Sequence, residues 1–417
     1  MKRETQIALI ERILHHVQGG TTDIAEQPQP FSPSIYENRE RFEAERETLF
    51  RKYPLVLGFS SQIPAPGDFI TNDFTGAPVL MVRDAGGEVR AFLNVCRHRG
   101  VKVAQQPQGN CRRFVCPYHA WSYDLDGKLH SLPEKRCFPN LKTDAVKLIE
   151  LPAAERHGMI FVITTPGEPF DIDAYLGAFG ADLGSYGLDG YYVSNAKNVP
   201  GRINWKLMIE ANQESYHINF LHGRTAGRRY RDQCSLLDLD FPHTRSVLVH
   251  SSAGRSPLPE DRADWSLLDY ADLVYFIFPN TLALWAGDGV QVISAFPQDV
   301  GTSIMQGARL ERPTATSRAA QDFAAAFYGN YWRTIGEDIQ VSETIQLGAR
   351  ARSGVPLNLG GNEVTIAEFH RAIERALDGS LPVLRPPLAP SEQAAPPAPS
   401  AAWPGAPVTN GTGAAAH

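Results

Sequence analysis

Apolar residues recur along this chain with a helical period at the start. They stand three or four residues apart at Ile7, Ile10, Leu14 and Val17, and the pattern stops at Gly19-Gly20. This spacing predicts an amphipathic helix. After a Pro-rich connection, the charged segment ENRERFEAERETLFRKY predicts a second helix. We expect residues 1–54 to form N-terminal helices that pack on a later domain.

From Leu55 the texture changes to short runs rich in β-branched residues, such as PVLMVRD, VRAFLNV and GMIFVITT. Gly, Asp and Pro separate these runs. Short runs with turn residues between them are typical of antiparallel strands. The sequence therefore predicts an antiparallel β domain over residues 55–165.

Strand and helix patterns mix over residues 166–383. The strand-like segments are YYVSNAKNVP, SVLVHSS, DLVYFIFPNTLALWA, VQVISAFPQ and SIMQGARL, and a long helical segment, FAAAFYGNYWRTIGEDIQVSETIQ, follows them. Alternating strands that are closed by a long helix predict an α+β domain in which a sheet wraps a helix. Residues 384–417 consist mainly of Pro, Ala, Ser and Gly, which predicts a disordered tail.

Composition and charge exclude several classes of partner. The chain is 43% hydrophobic and 21% charged, as an ordinary globular protein is. Its net charge of −6 offers no basic footprint for nucleic acid or an anionic membrane. No apolar run is long enough to span a bilayer, and the start lacks a signal-peptide core. We expect a cytoplasmic protein.

Four residues form two pairs of metal ligands: Cys96 and His98 in CRHRG, and Cys116 and His119 in CPYHAW. Two thiolates and two imidazoles suit either tetrahedral zinc or a Rieske [2Fe–2S] cluster. Because each loop contributes one cysteine and one histidine, the pattern favours the binuclear cluster. A zinc-stabilised ligand-binding protein is the alternative.

Three further cysteines remain, Cys111, Cys137 and Cys234. An odd number without an export signal indicates reduced thiols. Cys111 and Cys137 flank the cluster segment, and we interpret them as small buried residues and not as ligands.

A second cluster of candidate ligands lies in NWKLMIEANQESYHINFLH. Glu210, Glu214 and His217 would share one face of a helix. His217 and His222 are five residues apart, which does not fit a regular helix, so we expect the helix to loosen or end there. Two histidines need an anionic third ligand from elsewhere to complete a facial triad with open positions for O₂ and substrate.

These residues resemble the Rieske non-haem iron oxygenases, specifically their large catalytic alpha subunit. The segments CRHRG and CPYHAWSYDLDGKL are similar to the family's two cluster loops. Many members have Gly where this chain has Ala120, a change that is harmless only if φ stays negative. The resemblance implies a Rieske domain and a helix-grip (START-like) catalytic domain, in which a curved antiparallel sheet surrounds the long C-terminal helix.

The resemblance also implies residue roles. It places the third iron ligand at Asp338 in GEDIQVSETIQLG, with Glu337 and Glu343 as competitors. It gives Glu214 a bridging role, hydrogen-bonded to His217 and, across a subunit boundary, to a cluster histidine of the neighbour. Aspartate is commoner at this position in the family. Glutamate here resembles the branch of the family that acts on quaternary ammonium compounds.

A family member of this kind is a terminal oxygenase component. The resemblance implies that a reductase or ferredoxin delivers electrons from NAD(P)H to the cluster, and that they pass through His119 and Glu214 to the mononuclear iron, where O₂ and substrate bind. It implies a homotrimer and leaves open a small beta subunit. Hydroxylation, dihydroxylation or oxidative demethylation of an aromatic compound or aromatic acid is the favoured reaction, with betaine- or carnitine-like substrates as the alternative. A plain electron carrier is disfavoured because the chain continues far beyond one β domain.

Candidate pocket residues follow the second motif. They are Tyr275, Phe276, Phe278, Leu282, Leu284 and Trp285, of which alternation allows about half to face inward. A basic run follows His222, at Arg224, Arg228, Arg229 and Arg231. One of these arginines could hold a substrate carboxylate, although a solvated or reductase-facing patch is the favoured interpretation.

Overall fold

A computed structural model describes residues 1–255, 259–287, 289–313, 318–351 and 354–383. The tail predicted at 384–417 lies outside the described residues. Across the ranges that are described, none of the helices combines the length and the apolar character needed to cross a lipid bilayer.

Both N-terminal helices are confirmed. Helix α1 spans Arg3–Gly19 and ends at Gly20, whose φ of 63° lets its N–H bond back to His16. Helix α2 spans Arg39–Lys52. The side chain of Asn38 caps α2 by accepting a hydrogen bond from the backbone N–H of Arg41 at 2.8 Å.

Eleven short strands make up the region between residues 55 and 162. They are β1 Leu55–Phe59, β2 Asp68–Asn72, β3 Val79–Arg83, β4 Val89–Leu93, β5 Gln108–Asn110, β6 Phe114–Val115, β7 Ser122–Tyr123, β8 Leu129–Ser131, β9 Glu150–Leu151, β10 Ala153–Arg156 and β11 Met159–Val162. All pair antiparallel, in sheets of order β5-β2-β3-β4-β9, β6-β7-β8 and β1-β11-β10. The predicted antiparallel β fold is confirmed.

The side chains of these strands pack in two separate apolar cores. Phe69, Leu80, Phe92 and Phe114 form a small core with Cys96 and Cys116, so the cluster loops rest on their own apolar base. The residues of β1 and β11 instead pack in the larger core of the chain.

One seven-stranded antiparallel sheet dominates the remainder of the chain. Its elements in chain order are α3 Ile172–Ser185, β12 Tyr192–Gly201, α4 Trp205–Glu210, α5 Ile218–Leu221, β13 Tyr230–Asp240, β14 His243–His250, β15 Ala271–Ile277, β16 Thr281–Ala286, β17 Gly289–Asp299, β18 Thr302–Glu311, α6 Arg318–Arg350 and α7 Val364–Leu377. The strand order is β12-β18-β17-β16-β15-β14-β13.

The long helix α6 packs against one face of this sheet. A Cβ atom on Gly307 of β18 would lie 2.5 Å from the Trp332 ring of α6, so glycine permits this close approach. The predicted α+β class, with a sheet against a long C-terminal helix, is confirmed.

The N-terminal helices contact elements of the region that contains the seven-stranded sheet. Arg12 of α1 forms an ion pair with Asp238 of β13 at 2.8 Å. Glu45 of α2 pairs with Lys206 of α4 at 2.7 Å, and both side chains are fully buried. Burial lowers the pKa of Lys206, although the carboxylate of Glu45 opposes this shift.

Candidate metal centres and substrate pocket

The two loops that carry the predicted cluster ligands have the same backbone geometry. Each closes with two hydrogen bonds of equal spacing: Cys96 N–H to Val101 O (2.8 Å), Gly100 N–H to Cys96 O (3.0 Å), Cys116 N–H to Trp121 O (2.8 Å) and Ala120 N–H to Cys116 O (3.0 Å). The loops are therefore structural repeats of one another, and Ala120 corresponds to Gly100.

Ala120 has a φ of 54° and Gly100 a φ of 79°. Both lie in the left-handed region, which costs an L-residue about 1–2 kcal/mol. The condition of a negative φ at Ala120 is thus not met, because the loop geometry requires a positive φ at its fifth residue.

The cysteines point inward and the histidines outward. Cys96 and Cys116 are 3% and 2% exposed, whereas His98 is half-buried and His119 is exposed. The ring centroids of the two histidines are 4.5 Å apart. The Tyr123 hydroxyl lies 3.2 Å from the Cys96 Sγ atom.

These residues fit a cluster with two thiolates on its inner side and two imidazoles on its outer side. His98 Nδ1 is buried and has no hydrogen-bond partner, which leaves it free as a ligand atom. Burial raises the pKa of the Cys96 thiol, so the metal-free thiol holds its proton until a cation displaces it.

The remaining cysteines do not form disulfides. Cys234 is buried, Cys111 is only half-buried and Cys137 is exposed. The interpretation of Cys137 as a small buried residue is therefore wrong.

The segment that carries the second set of ligands is broken, as expected from the spacing of its histidines. Helix α4 ends at Glu210, and His217 and His222 flank the single turn of α5. The prediction that Glu210 shares a helix face with Glu214 is wrong. Glu210 instead accepts a hydrogen bond from the Tyr36 hydroxyl at 2.7 Å.

Three predicted ligands converge on one point. The Nε2 atoms of His217 and His222 are 3.1 Å apart. The Oδ1 atom of Asp338 lies 2.9 Å from Nε2 of His222 and 3.5 Å from Nε2 of His217. This oxygen is buried, and despite its short distance to Nε2 of His222 the two atoms do not meet with hydrogen-bond geometry. Among the described residues, these three form the one His/Cys/Asp/Glu group compact enough for a mononuclear metal ion.

A carboxylate lies behind each histidine. Glu214 hydrogen-bonds His217 Nδ1 and also accepts from its backbone N–H at 3.1 Å. Glu337 accepts from His222 Nδ1 at 2.6 Å and from the Thr225 hydroxyl at 2.7 Å. Both rings thus present Nε2 to the shared point, the arrangement expected behind metal-binding histidines.

The sequence predicts Glu337 only as a competing metal ligand, whereas the structure places it behind His222 as a hydrogen-bond acceptor. Glu343 is absent from the converging group. The sequence does carry a signal for this role, because each metal-binding histidine requires a carboxylate or carbonyl behind it and Glu214 can serve only one of the two.

Electrostatics favour a cation at this point. Burial opposes a charge on His217, but the carboxylates of Glu214 and Asp338 outweigh it and raise the pKa. Burial also opposes a charge on His222, where Asp338 and Glu337 outweigh it and raise the pKa. The donor set of two imidazoles and one carboxylate is typical of non-haem Fe(II).

A pocket of about 850 Å³, counting its open mouth, lies between the sheet and α6 and includes the three converging residues. Its walls carry aliphatic side chains from four strands, β14 to β17, and aromatic rings from β13 and α6. The lining residues include Val274, Leu284, Gln291, Phe327, Tyr230 and Tyr331.

Two of the six predicted pocket residues, Leu282 and Leu284, line this pocket. The other four do not line it. Tyr275 and Trp285 pack on Tyr186, Phe276 packs on Phe369, and Phe278 packs on Tyr53. These four are core residues. Alternation turns Tyr275 and Trp285 to the face opposite Val274 and Leu284. Phe276 shares the pocket face with its partner Leu282 but packs on Phe369 instead.

The basic run divides in the structure. Arg224 and Arg228 are exposed, and Arg231 donates to the Ala253 carbonyl at 2.9 Å. Arg229 lines the pocket, but its Nε and Nη2 atoms contact Asp272 at 2.6 and 2.7 Å. The carboxylate of Asp272 therefore already occupies the fork of Arg229.

One domain has two loops that each carry a cysteine and a histidine, and another has a group of two histidines and one carboxylate. Together these two sites are typical of two-centre iron oxygenases. Comparison with known families agrees. Residues 54–147 match the Rieske [2Fe-2S] domain, and residues 188–379 match the catalytic domain of the ring hydroxylating alpha subunit.

Curated relatives include both monooxygenases and dioxygenases. The glycine betaine monooxygenase oxygenase subunit of Pseudomonas aeruginosa is 36% identical over 196 residues, which cover 47% of this chain and 44% of that protein. The biphenyl 2,3-dioxygenase subunit alpha of Rhodococcus jostii is 38% identical over 155 residues, or 37% of this chain and 34% of that protein. The chain thus spans less than half the length of these relatives.

Solved structures share the fold. A quaternary ammonium Rieske monooxygenase in complex with L-carnitine superposes with a TM-score of 0.72 at 20% identity, over 83% of this chain and 95% of that one. Naphthalene 1,2-dioxygenase from Rhodococcus sp. bound to indole superposes with a TM-score of 0.71 at 20% identity, over 90% of this chain and 99% of that one. With both characteristic domains present, the chain belongs to the family of Rieske oxygenase alpha subunits.

Proposed function

We propose that this chain is the terminal oxygenase component of a Rieske-type system that takes electrons from a reductase or ferredoxin and oxidises a small organic substrate with O₂. One observation carries the proposal: His217, His222 and Asp338 converge on the wall of an apolar pocket. A protein that only carried electrons would not need this pocket.

In the proposal, Cys96, His98, Cys116 and His119 hold the [2Fe–2S] cluster, and His217, His222 and Asp338 hold one Fe(II). When bound, these groups supply electrons and O₂ activation. The residues of the chain contribute orientation. Glu214 and Glu337 fix the histidine tautomers, and Leu282 and Leu284 exclude water from the substrate face.

We further propose that the two sites act between copies of the chain, in a homotrimer. Within the described residues, no hydrogen bond, ion pair or ring contact joins the four cluster residues to Glu214, His217, His222 or Asp338. Exposed side chains flank each site: Tyr118 beside His119 is 52% exposed, and Phe220 near His217 is 74% exposed. Such surfaces suit a subunit boundary, where Glu214 would bridge His217 to the neighbour's His119.

The substrate proposal keeps two classes. Aliphatic walls with the rings of Tyr230, Phe327 and Tyr331 suit an aromatic compound or aromatic acid. The same rings suit a quaternary ammonium group by cation–π attraction. Glutamate at position 214 and the likeness to glycine betaine monooxygenase favour this second candidate.

Glu214→Gln tests the proposal. It keeps the size of the side chain and removes its charge, so we expect both metal sites to remain loaded while product formation coupled to O₂ uptake is lost. Wild-type protein with a surrogate reductase is first screened on aromatic acids and betaines. Glu343→Gln, on α6 but outside the converging group, is the matched control and should retain activity. Normal product formation by Glu214→Gln would contradict the bridging role.

A further inference from the structure

Arg309 of β18 is a buried cation whose hydrogen-bonding capacity is not filled. Its side chain is 2% exposed, and among the described residues its Nε and Nη1 atoms have no hydrogen-bond partner. Nη2 donates to the Ala286 carbonyl at 3.3 Å. A guanidinium stays charged at neutral pH, and a buried charge without partners is unfavourable.

The neighbouring carboxylates do not meet this demand. Glu311 Oε1 lies 3.7 Å from Arg309 Nε, which is beyond hydrogen-bond range. The Asp272 oxygens are already engaged by Arg229, by the Tyr230 hydroxyl at 2.8 Å and by His250 at 2.9 Å. Nη1 of Arg309 therefore remains available to an anion from outside the protein.

Sheet register places Arg309 beside the pocket. Val274, Leu284, Gln291 and Arg309 are direct partners across successive strands. Directly paired residues point to the same face of a sheet, and the first three line the pocket. The ring of Phe327, which also lines the pocket, lies 4.9 Å from the Arg309 guanidinium. Gln291 and Phe327 thus frame the approach to Arg309.

We propose that Arg309 binds the carboxylate of the substrate, and that the substrate is an elongated molecule with a carboxylate at one end. Carboxylates gather at the iron end of the pocket, at Glu214 and Asp338, so an anionic group is repelled there and attracted to Arg309. Phe327 and Asp338 lie eleven residues apart on α6, or about 16 Å along its axis. This inference deepens the proposed function and rests on it.

Two matched pairs of probes test the subsite: 4-phenylbutyrate with its primary amide, and 4-(trimethylammonio)butyrate with its primary amide. Dissociation constants are measured by calorimetry on the oxidised holoprotein without reductant. In at least one pair, we expect the dissociation constant of the carboxylate to be lower than that of its amide by about tenfold or more. A charge-assisted hydrogen bond accounts for a difference of this size.

Arg309→Gln should abolish the preference for the carboxylate. Arg312→Gln is the matched control, because Arg312 follows the same strand but is exposed, with its Nε 2.5 Å from the Tyr191 hydroxyl. If Arg309→Gln fails to fold, Gly289→Ala serves instead. Its Cβ would lie 2.3 Å from Arg309 Nη2 and should displace the guanidinium with its charge intact.

The proposal is overturned if the wild-type protein shows no preference in either pair, including the case in which neither carboxylate binds. It is also overturned if Arg309→Gln keeps the preference. Because binding is measured without turnover, such a result leaves the oxygenase proposal standing. Absence of a metal centre would overturn the oxygenase proposal and leave the binding preference to be judged by itself.

Discussion

Replacing Glu337 with glutamine removes the negative charge behind His222 while keeping the shape of the side chain. In the native protein one oxygen of Glu337 accepts from both His222 Nδ1 and Thr225 Oγ1. The carboxylate fixes the ring so that Nε2 faces Asp338, and it raises the basicity of that nitrogen. Glutamine can still accept from Nδ1–H, but without charge assistance.

The expected magnitude follows from this geometry. Loss of a carboxylate behind a metal-binding histidine typically weakens metal affinity about 10- to 100-fold, or about 1.4–2.7 kcal/mol. The Glu337 side chain is 32% exposed, so water screens part of its charge. We therefore expect a loss of about tenfold in Fe(II) affinity for Glu337→Gln.

The assay is an anaerobic Fe(II) titration of protein with a loaded cluster, in competition with a chromogenic chelator. Thr225→Val removes the second donor to Glu337 and leaves the His222 bond, so we expect less than about a threefold change in affinity. The cluster absorbance should be unchanged in both variants. Wild-type affinity in Glu337→Gln, or loss of the cluster together with the iron, would refute the positioning role of Glu337.

Three other predictions concern the two cluster loops, the buried ion pair of Glu45 with Lys206, and the mononuclear metal site. Ala120→Gly should raise thermal stability by up to about 1 kcal/mol, whereas Gly100→Ala should lower it by about 1–2 kcal/mol. A melting temperature that falls in Ala120→Gly or rises in Gly100→Ala would contradict the matched loop geometry. Glu45→Gln strands the buried Lys206 and should reduce the free energy of unfolding in urea by about 3–5 kcal/mol, with much of it restored by adding Lys206→Met. An unchanged urea midpoint would exclude a charged pair. Asp338→Ala should lose the mononuclear iron and keep the cluster spectrum, and metal analysis showing full iron would reject Asp338 as a ligand.

Local motifs sufficed where ligands are close in sequence. The pairs Cys96 with His98 and Cys116 with His119 each lie on one tight loop, so spacing alone placed them together. Asp338 was harder, because it lies more than a hundred residues after His222 and required the family resemblance.

Details that depend on tertiary geometry could not be read from the pattern. Glu337 and Asp338 are adjacent acids, and only the rotation of about 100° per residue along α6 sends one to Nδ1 and the other to Nε2 of His222. Alternation predicts that about half of the aromatic strand segment faces the pocket, but Phe276, on the same face as Leu282, packs on Phe369 and does not reach the cavity. The positive φ of Ala120 likewise follows from loop closure and not from residue type.

Metal and sulfide analysis of anaerobically purified protein, with EPR after dithionite reduction, tests the two-centre account most directly. We predict about three iron atoms and two acid-labile sulfides per chain, together with the signal of a reduced Rieske cluster. His217→Ala should lose one iron atom and keep that signal. A colourless protein that contains zinc and gives no EPR signal on reduction would contradict the account.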